Sequence, residues 1–236
     1  MSIMRLAALA VAAMLLVGCT QQEIPFDHAS AGDIKVIGLL TPALPSGPDV
    51  ILASSPAQSF GLIGAIVDAS MQANRETHFK DLLSGQHFSA EEALTQCVTE
   101  KLQAAGYTVT PVPVARPKDD FLKQYPVTTG PKVDAYLDIV ATEYGYVAAG
   151  VGAANPYRPA FAMTIKLVRA KDTAILMQDN IIYNPVGSYS NWVTISPDPT
   201  YQFSDFDSLM ADPAKAVSGL KIAFDKSAGA TGTLIK

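Results

Sequence analysis

Three histidines, His28, His78 and His87, are the side chains best suited to bind a transition metal or to transfer protons near neutral pH. A helical metal site needs two ligands three or four residues apart, and no two histidines have that spacing. His87 and Glu91 are four residues apart, but His87 precedes the helix that begins after Ser89, so the two are poor co-ligands. The pattern favours surface histidines and predicts no metal site.

Motifs for nucleophilic catalysis or phosphate binding are missing from the sequence. There is no Gly-x-Ser-x-Gly elbow and no phosphate-binding loop. Gly150-Val-Gly152 begins like a dinucleotide-binding fingerprint, but a third glycine and a following helix are lacking, which favours a hairpin loop. A group of acids lacks the spacing of a calcium loop and is typical of solvated loops: Asp198, Asp205, Asp207 and Asp212. We therefore expect no catalytic residue and no cofactor.

Aromatic side chains are concentrated in one irregular segment, residues 183–206. It holds the only tryptophan and five further rings: Tyr183, Tyr189, Trp192, Tyr201, Phe203 and Phe206. Three prolines in the same segment argue against a regular element. One interpretation is that the rings pack this loop onto the sheet; the other is a partner surface, since aromatic residues anchor interfaces. In the second case Trp192, Tyr201 and Phe203 are the partner-binding residues.

Cys19 is the remaining residue with evident chemistry, because it follows a secretory signal. A short start with one positive charge, Arg5, precedes the unbroken apolar run 6–17, which is shorter than the roughly 20 residues that span a bilayer. The run ends in Leu16-Val17-Gly18-Cys19, which resembles the lipobox of bacterial lipoproteins. The resemblance implies that residues 1–18 are a signal peptide and that Cys19 is the lipidation site.

Lipidation of Cys19 would attach the protein permanently to a membrane, since each buried methylene contributes about 0.8 kcal/mol and a mature lipoprotein carries several acyl chains. Thr20 follows the cysteine, whereas the sorting rule of enteric bacteria uses aspartate there for inner-membrane retention. By this resemblance we expect the outer membrane, with the domain facing the periplasm. The inner membrane and the cell surface are the alternatives.

Composition limits the partners. The net charge of −5 is opposite to that of a nucleic-acid-binding domain, so we expect no nucleic acid.

Cys97 is the only cysteine besides Cys19, so no structural disulfide forms within the chain. Its neighbours Leu94 and Val98 place Cys97 on the apolar face of a helix. This position predicts a buried, inert thiol, with an exposed reactive thiol as the alternative.

Hydrophobic periodicity predicts strands and helices in mixed order. Strand patterns occur at 34–40, 50–53, 134–144, 160–169 and 174–183, with a proline-containing edge strand at 107–114. Helical patterns occur at 61–73, 77–83, 90–105 and 213–227. The order predicts an α/β (α+β) fold: a single mixed or largely antiparallel sheet of about 4–5 strands, buried on one face under packed helices.

Domain boundaries follow from the same pass along the chain. Residues 19–33 are polar and irregular, and they are predicted to be a tether between the lipid and the domain. Residues 34–228 are predicted to form a single periplasmic α/β domain. Residues 229–236 are rich in glycine and threonine, which indicates a flexible tail.

Four segments occur in an order that resembles a group of periplasmic lipoproteins: Ile-Lys-Val-Ile-Gly-Leu-Leu, a capped helix ending Leu-Gln-Ala-Ala-Gly-Tyr-Thr-Val, Val-Asp-Ala-Tyr-Leu-Asp-Ile-Val-Ala-Thr, and a hairpin with a Lys-Asp-Thr turn. The group comprises the curli-export lipoprotein family, the N-terminal domain of TolB-type proteins and penicillin-binding-protein activator lipoproteins. The resemblance covers roughly residues 33–185. It implies a small α/β sandwich that binds other envelope proteins or assembles into rings, without a catalytic centre.

The chain departs from the pore-forming members of that group, because the Gly/Ala-rich stretch 145–154 stands where paired long amphipathic hairpins would be needed. The first hypothesis is therefore a membrane-anchored, non-catalytic scaffold or adaptor in envelope assembly or transport, which binds other envelope proteins or itself. The alternative is a binding protein for a small apolar ligand, based on the apolar stretches 60–73 and 145–154. Such a carrier needs a preformed cavity of several hundred Å³, and a scaffold does not.

Overall fold

The structure is a computed structural model that describes residues 23–31, 34–53, 61–116, 120–126 and 132–236. The predicted signal peptide 1–18 and the predicted lipidation site Cys19 lie outside the described residues. Within the described part of the chain, no helix is both long enough and apolar enough to cross a membrane.

Seven strands form one mixed sheet: β1 Val36–Leu40, β2 Asp49–Leu52, β3 Thr108–Val112, β4 Ala135–Ala148, β5 Arg158–Arg169, β6 Ile175–Tyr183 and β7 Val193–Ile195. Their order is β3-β1-β4-β5-β6-β7, and β2 pairs with β4 farther along the same side as β1. β4, β5 and β6 are antiparallel neighbours, while every other pairing is parallel. The α/β class is confirmed, and the sheet is larger than predicted because short strands extend it.

The helices are α1 His28–Ala31, α2 Gly61–Gly85, α3 Ala90–Ala104, α4 Phe206–Ala211 and α5 Pro213–Leu234, with a 3-10 turn at Pro199–Tyr201. Local signals explain α3. The Ser89 hydroxyl accepts the Glu92 N–H at 3.2 Å, as in a capping box, and Gly106 with a φ of 101° follows its end. The two helical patterns predicted before it merge into the single helix α2.

The main core lies between one face of the sheet and the helices. Its fully buried members include Leu94 and Leu102 from α3, Phe224 from α5, and Phe161 and Ile165 from β5. The rings of Phe161 and Phe224 meet edge to face with centroids 4.6 Å apart. Helix α5 therefore packs directly on the middle of the sheet, and α3 packs beside it.

The opposite face of β4 is also buried, which corrects the prediction of one solvated face. Residues 113–116 and 120–126, part of the β3–β4 connection and here called the strap, cover it. Phe121 of the strap packs against Val140, while Tyr125 stacks on Tyr136 with ring centroids 5.9 Å apart. The polar groups of Tyr136 and Asp138 therefore do not mark a solvated face, because the strap supplies their partners.

The described residues of the predicted tether, and the predicted tail, pack onto the domain. Ile24 exchanges backbone hydrogen bonds of 2.8 and 2.9 Å with Gln178 on the outer side of β6, and Phe26 packs against the core. At the other end, α5 continues to Leu234, Ile235 is buried, and the Tyr107 hydroxyl donates to the Ile235 carbonyl oxygen. Residues 229–236, predicted to be a flexible tail, therefore continue and end α5 here, because tertiary packing overrides the weak helix propensity of glycine and threonine.

Candidate functional site

The aromatic segment divides into core residues and surface residues. Phe203 is only 5% exposed, its ring lies 5.5 Å from that of Tyr146, and its backbone pairs with Tyr157 through hydrogen bonds of 2.8 and 2.9 Å. Tyr183 is also buried, and its hydroxyl oxygen accepts the Asp198 N–H at 2.6 Å. Phe203, which the sequence analysis predicted as a partner-binding residue, is therefore placed in the core, where its ring packs against Tyr146.

Tyr189 and Trp192 remain half-buried in the loop between β6 and β7. Their ring centroids are 5.5 Å apart at an interplanar angle of 60°. Asn191 between them has a φ of 63°, a left-handed conformation that asparagine tolerates better than most residues. This turn brings the two rings together on one side of the loop, so the pair forms one aromatic contact surface.

The strand that follows places this pair at the end of the sheet. β7 pairs only with β6, and the Asn184 N–H donates to the Ile195 carbonyl oxygen at 2.9 Å. In a parallel ladder alternate residues bond to the same neighbour, so the backbone groups of Thr194 point away from β6. We call Tyr189, Trp192 and Thr194 the edge surface.

Tyr201 belongs to neither group. It is half-buried at the end of the 3-10 turn, close to Gly219 of α5. Its position beside α5 distinguishes it from Tyr189 and Trp192, which lie in the loop between β6 and β7.

The clustered acids cap helices. Asp198 accepts the Thr200 N–H at 2.9 Å, Asp205 accepts the Ser208 N–H at 2.7 Å, and Asp212 accepts the Lys215 N–H at 3.1 Å. Each acid stands at the first residue before a helical turn, where a carboxylate satisfies an otherwise unpaired N–H. Within the described residues, no group of three or more His, Cys, Asp or Glu side chains could hold a metal ion. All three histidines are exposed, as predicted.

A buried ion pair anchors the strap. The Arg116 guanidinium lies 2.5 Å from the Asp138 carboxylate, and their side chains are 6% and 0% exposed. Asp138 also accepts the Leu122 N–H at 3.0 Å and the Tyr125 hydroxyl at 3.1 Å. Burial, followed by the Asp138 charge, raises the pKa of Tyr125 far above its usual value. The pair therefore holds the strap in place.

Two carboxylates near the bulge of β4 share an unusual electrostatic environment. Burial, with a smaller contribution from the charge of Asp49, raises the pKa of Glu143 to about 7. Burial and then the Glu76 charge raise the pKa of Asp49 to about 6, against a lowering by the Tyr144 N–H. Both groups therefore exchange protons near neutral pH. The sequence gives no signal for this pair, because Asp49 and Glu143 are far apart in the chain and the pairing of β2 with β4 brings them together.

A crevice of about 520 Å³ opens beyond the carboxyl end of β1. Its walls are the segment 41–46, the start of α3 and two residues after β3: Thr41, Pro42, Ala43, Leu44, Pro45, Ser46, Ser89, Ala90, Glu91, Val114, Arg116 and Tyr144. A crevice at strand carboxyl ends is a common location for ligands in α/β folds. None of its described lining residues belongs to the predicted apolar stretches 60–73 and 145–154.

Cys97 lies on the side of α3 that packs against the core, as predicted, but it is half-buried. Burial, followed by the charges of Asp225 and Glu100, raises the pKa of its thiol. A raised pKa lowers the fraction of reactive thiolate near neutral pH. The thiol therefore has the character of an inert packing residue.

Comparisons with known proteins give structural matches only: no protein-family model and no curated protein matches the sequence. The PelC dodecamer from Paraburkholderia phytofirmans is 10% identical, with 88% of this chain and 95% of that chain covered and a TM-score of 0.38. A DUF330 protein from Xanthomonas campestris is 10% identical, with 86% and 84% covered and a TM-score of 0.44. A neuraminyllactose-binding hemagglutinin homologue from Helicobacter pylori is 9% identical, with 86% and 87% covered and a TM-score of 0.37. At these identities the similarity concerns the fold alone.

Proposed function

We propose that this chain is a lipid-anchored protein of the bacterial envelope that acts without a catalytic centre, as a scaffold or adaptor in envelope assembly or transport. Its lipid is carried by Cys19, and its domain faces the periplasm from the outer membrane. It binds a partner, either another envelope protein or a second copy of itself, through the edge surface of Tyr189, Trp192 and Thr194.

The observation that carries the proposal is the half-exposed pair of Tyr189 and Trp192 at the sheet edge. Among the other rings of the segment, Tyr183 and Phe203 are buried in the core, while the half-buried Tyr201 and Phe206 pack beside α5 and against the core. A tryptophan and a tyrosine in contact at a free strand edge are typical of an interface anchor. The lipobox ending at Cys19 supports the envelope location.

A photo-crosslinking residue placed at position 192 of the full chain in living cells tests the edge surface. We expect one dominant crosslinked product, whose yield falls when Tyr189→Ala removes the neighbouring ring. Ile175, which is 45% exposed at the start of β6, provides the control position because it also presents an apolar side chain. Equal products from positions 175 and 192 would refute a specific partner at the edge surface.

The anchor is tested separately by Cys19→Ala. We expect this variant to be left uncleaved by the lipoprotein peptidase or released in soluble form, because it has no thiol for the lipid. Fractionation after a salt wash gives the result. A Cys19→Ala variant that stays with the membrane as well as the native chain would contradict lipid anchoring.

The second candidate function is binding of a small apolar ligand, and the crevice of about 520 Å³ favours it. Its volume falls within the range of ligand sites. Val114→Trp would fill the crevice, so it should abolish saturable binding of an apolar fluorescent probe such as a naphthalene sulfonate. Lys171→Trp, at the exposed β5–β6 turn, is the control. Probe binding that is absent from the native chain would remove this candidate.

A further inference from the structure

A second, smaller cavity of about 260 Å³ lies between the β4–β5 turn and the loop that follows β6. Its walls are Val147, Ala149, Ala154, Asn155, Pro156, Arg158, Asn184, Pro185, Val186 and Gly187. This lining contains one cationic side chain and no acid. The volume lies just below the range of ordinary ligand pockets, so only a small group fits.

Asn184 provides the observation that points to a ligand. The residue is 7% exposed, and its carboxamide nitrogen Nδ2 is buried with no hydrogen-bond partner. Leaving a buried donor unpaired is unfavourable, which is why nearly all such groups in folded proteins have partners. Its backbone is held in place, since the Asn184 N–H donates to Ile195 in β7. Because Asn184 lines the cavity, a small rotation of its carboxamide would bring this donor to an acceptor bound there.

Arg158 adds a charge to the same wall. It begins β5, is half-buried, and forms no ion pair with any of the described residues. By contrast, the charge of Arg116 is neutralised by Asp138. A guanidinium presents N–H donors in a planar fork that matches the two oxygens of a carboxylate.

The rest of the wall selects among anions. Val147, Pro156, Pro185 and Val186 are apolar, so they suit a short hydrocarbon beside the charged group. Phosphate or sulfate carries more oxygens and more charge than one guanidinium and one carboxamide satisfy. A carboxylate has two oxygens and a single charge, so it matches these two donors.

We propose that this cavity is a binding site for a carboxylate on a short apolar body. Arg158 neutralises the carboxylate, and the Asn184 carboxamide donates to one of its oxygens. Such a group could be a free small acid or the carboxyl end of a peptide. The site does not depend on the partner role of Trp192, because none of its donors belongs to the edge surface.

The test is a titration of the full chain in detergent, followed by NMR of ¹⁵N-asparagine. With butyrate we expect the Asn184 side-chain resonances to move and saturate, while butanol of the same length has little effect. Arg158→Gln should weaken butyrate binding about tenfold or more, because a charge-assisted interaction is lost. Arg75→Gln, which removes a half-buried guanidinium from α2, should leave it unchanged.

Further titrations identify the source of the carboxylate and the results that would overturn the proposal. The site would be assigned to chain ends if an acetylated Val-Val peptide with a free carboxyl end binds more tightly than butyrate and its amide does not bind. Three results would overturn the proposal. They are equal binding of butyrate by Arg158→Gln and the native chain, tighter binding of phosphate than of butyrate, and a butyrate titration of the native chain that does not saturate. Trp192→Ala should leave the titration unchanged, which keeps this result separate from the partner proposal.

Discussion

The two edge strands of the sheet, β3 and β7, present different groups to a potential partner. At β3, the Thr108 N–H donates to the Lys35 carbonyl oxygen, so the odd-numbered positions point outward, and two of these are Pro111 and Pro113. Proline has no N–H, so this edge offers few donors to another strand. At β7 the strand is only three residues long. What the β7 edge presents is chiefly side chains, above all Tyr189 and Trp192.

This difference distinguishes an edge that resists pairing with another strand from an edge that can recognise a partner. The β3 edge is blocked by backbone chemistry and is followed at once by the strap, which the buried pair of Arg116 and Asp138 holds down. Among the described residues, the β7 edge has no such block, and its half-buried rings favour a partner that recognises side chains. The following predictions test this contrast, from the largest expected effect to the smallest.

Removing the strap anchor should have the largest effect. Asp138→Ala leaves the Arg116 charge buried without its partner, so we expect a loss of about 3–5 kcal/mol in the free energy of unfolding. Denaturant unfolding provides the measurement. Lys132→Ala is the control, because the Lys132 side chain is 90% exposed and its ion pair with Asp134 is long, at 3.8 Å. A loss for Asp138→Ala as small as that of the control would show that the strap is not held by this pair.

Truncation of the buried Phe203 ring of the aromatic segment should also be costly. Phe203→Ala removes a ring packed against Tyr146 and Lys215, so we expect a loss of about 3–5 kcal/mol through the resulting cavity. Tyr201→Ala, at a half-buried ring, should cost clearly less. Thermal melts of the two variants give the comparison. Similar losses would mean that the division into core and surface rings is wrong.

On the central strand, Glu143 should make stability depend on pH. Its pKa of about 7 in the folded state is above the ordinary glutamate value of 4.5, so its favourable contribution is present below pH 4.5 and is lost as the pH rises through 7. Glu143→Gln should therefore stabilise the protein at pH 8 by an amount on the order of 1 kcal/mol and change little at pH 4. Unfolding curves across this range measure it. A stability difference that is constant with pH would contradict the assignment.

Unblocking the β3 edge should change association more than stability. Pro111→Val with Pro113→Val restores two outward N–H donors, so we expect concentration-dependent self-association in analytical ultracentrifugation. The monomer should lose only about 1 kcal/mol, mainly through greater freedom of the unfolded chain. Thr110→Val is the matched control, because the Thr110 backbone faces β1. A double variant that stays monomeric would show that the prolines do not protect this edge.

The sequence predicted the elements whose signals are local. Ser89, Glu92 and Gly106 delimit α3 within the predicted bounds, and the alternation in β4, β5 and β6 located the central strands. The failures depend on distant contacts. β7 is too short for its sequence to show an alternating hydrophobic pattern. From the sequence Asp138 is expected to be solvated, because its burial depends on the strap, which is distant in the chain. The end of α5 was missed because glycine and threonine are weak helix formers, while Tyr107 and the core hold it.

The candidate site was predictable only in part. Composition located the aromatic segment, and the outward placement of Trp192 is compatible with the expectation. Composition does not distinguish Phe203 from Trp192, because burial depends on which ring meets Tyr146 of β4. Arg158 and Asn184 gave no sequence signal at all, since a free guanidinium and an unpaired carboxamide are recognised only when every partner has been assigned.

Trp192→Ala tests the central claim most directly, with stability and partner capture measured on the same variant. If the edge surface recognises a partner, the melting temperature should change little, while photo-crosslinking from position 189 should fall at least about tenfold, as expected for an anchor worth 2 kcal/mol or more. If Trp192 serves only to pack the loop, the variant should instead lose stability as severely as Phe203→Ala. A large loss of stability with unchanged capture would contradict the account.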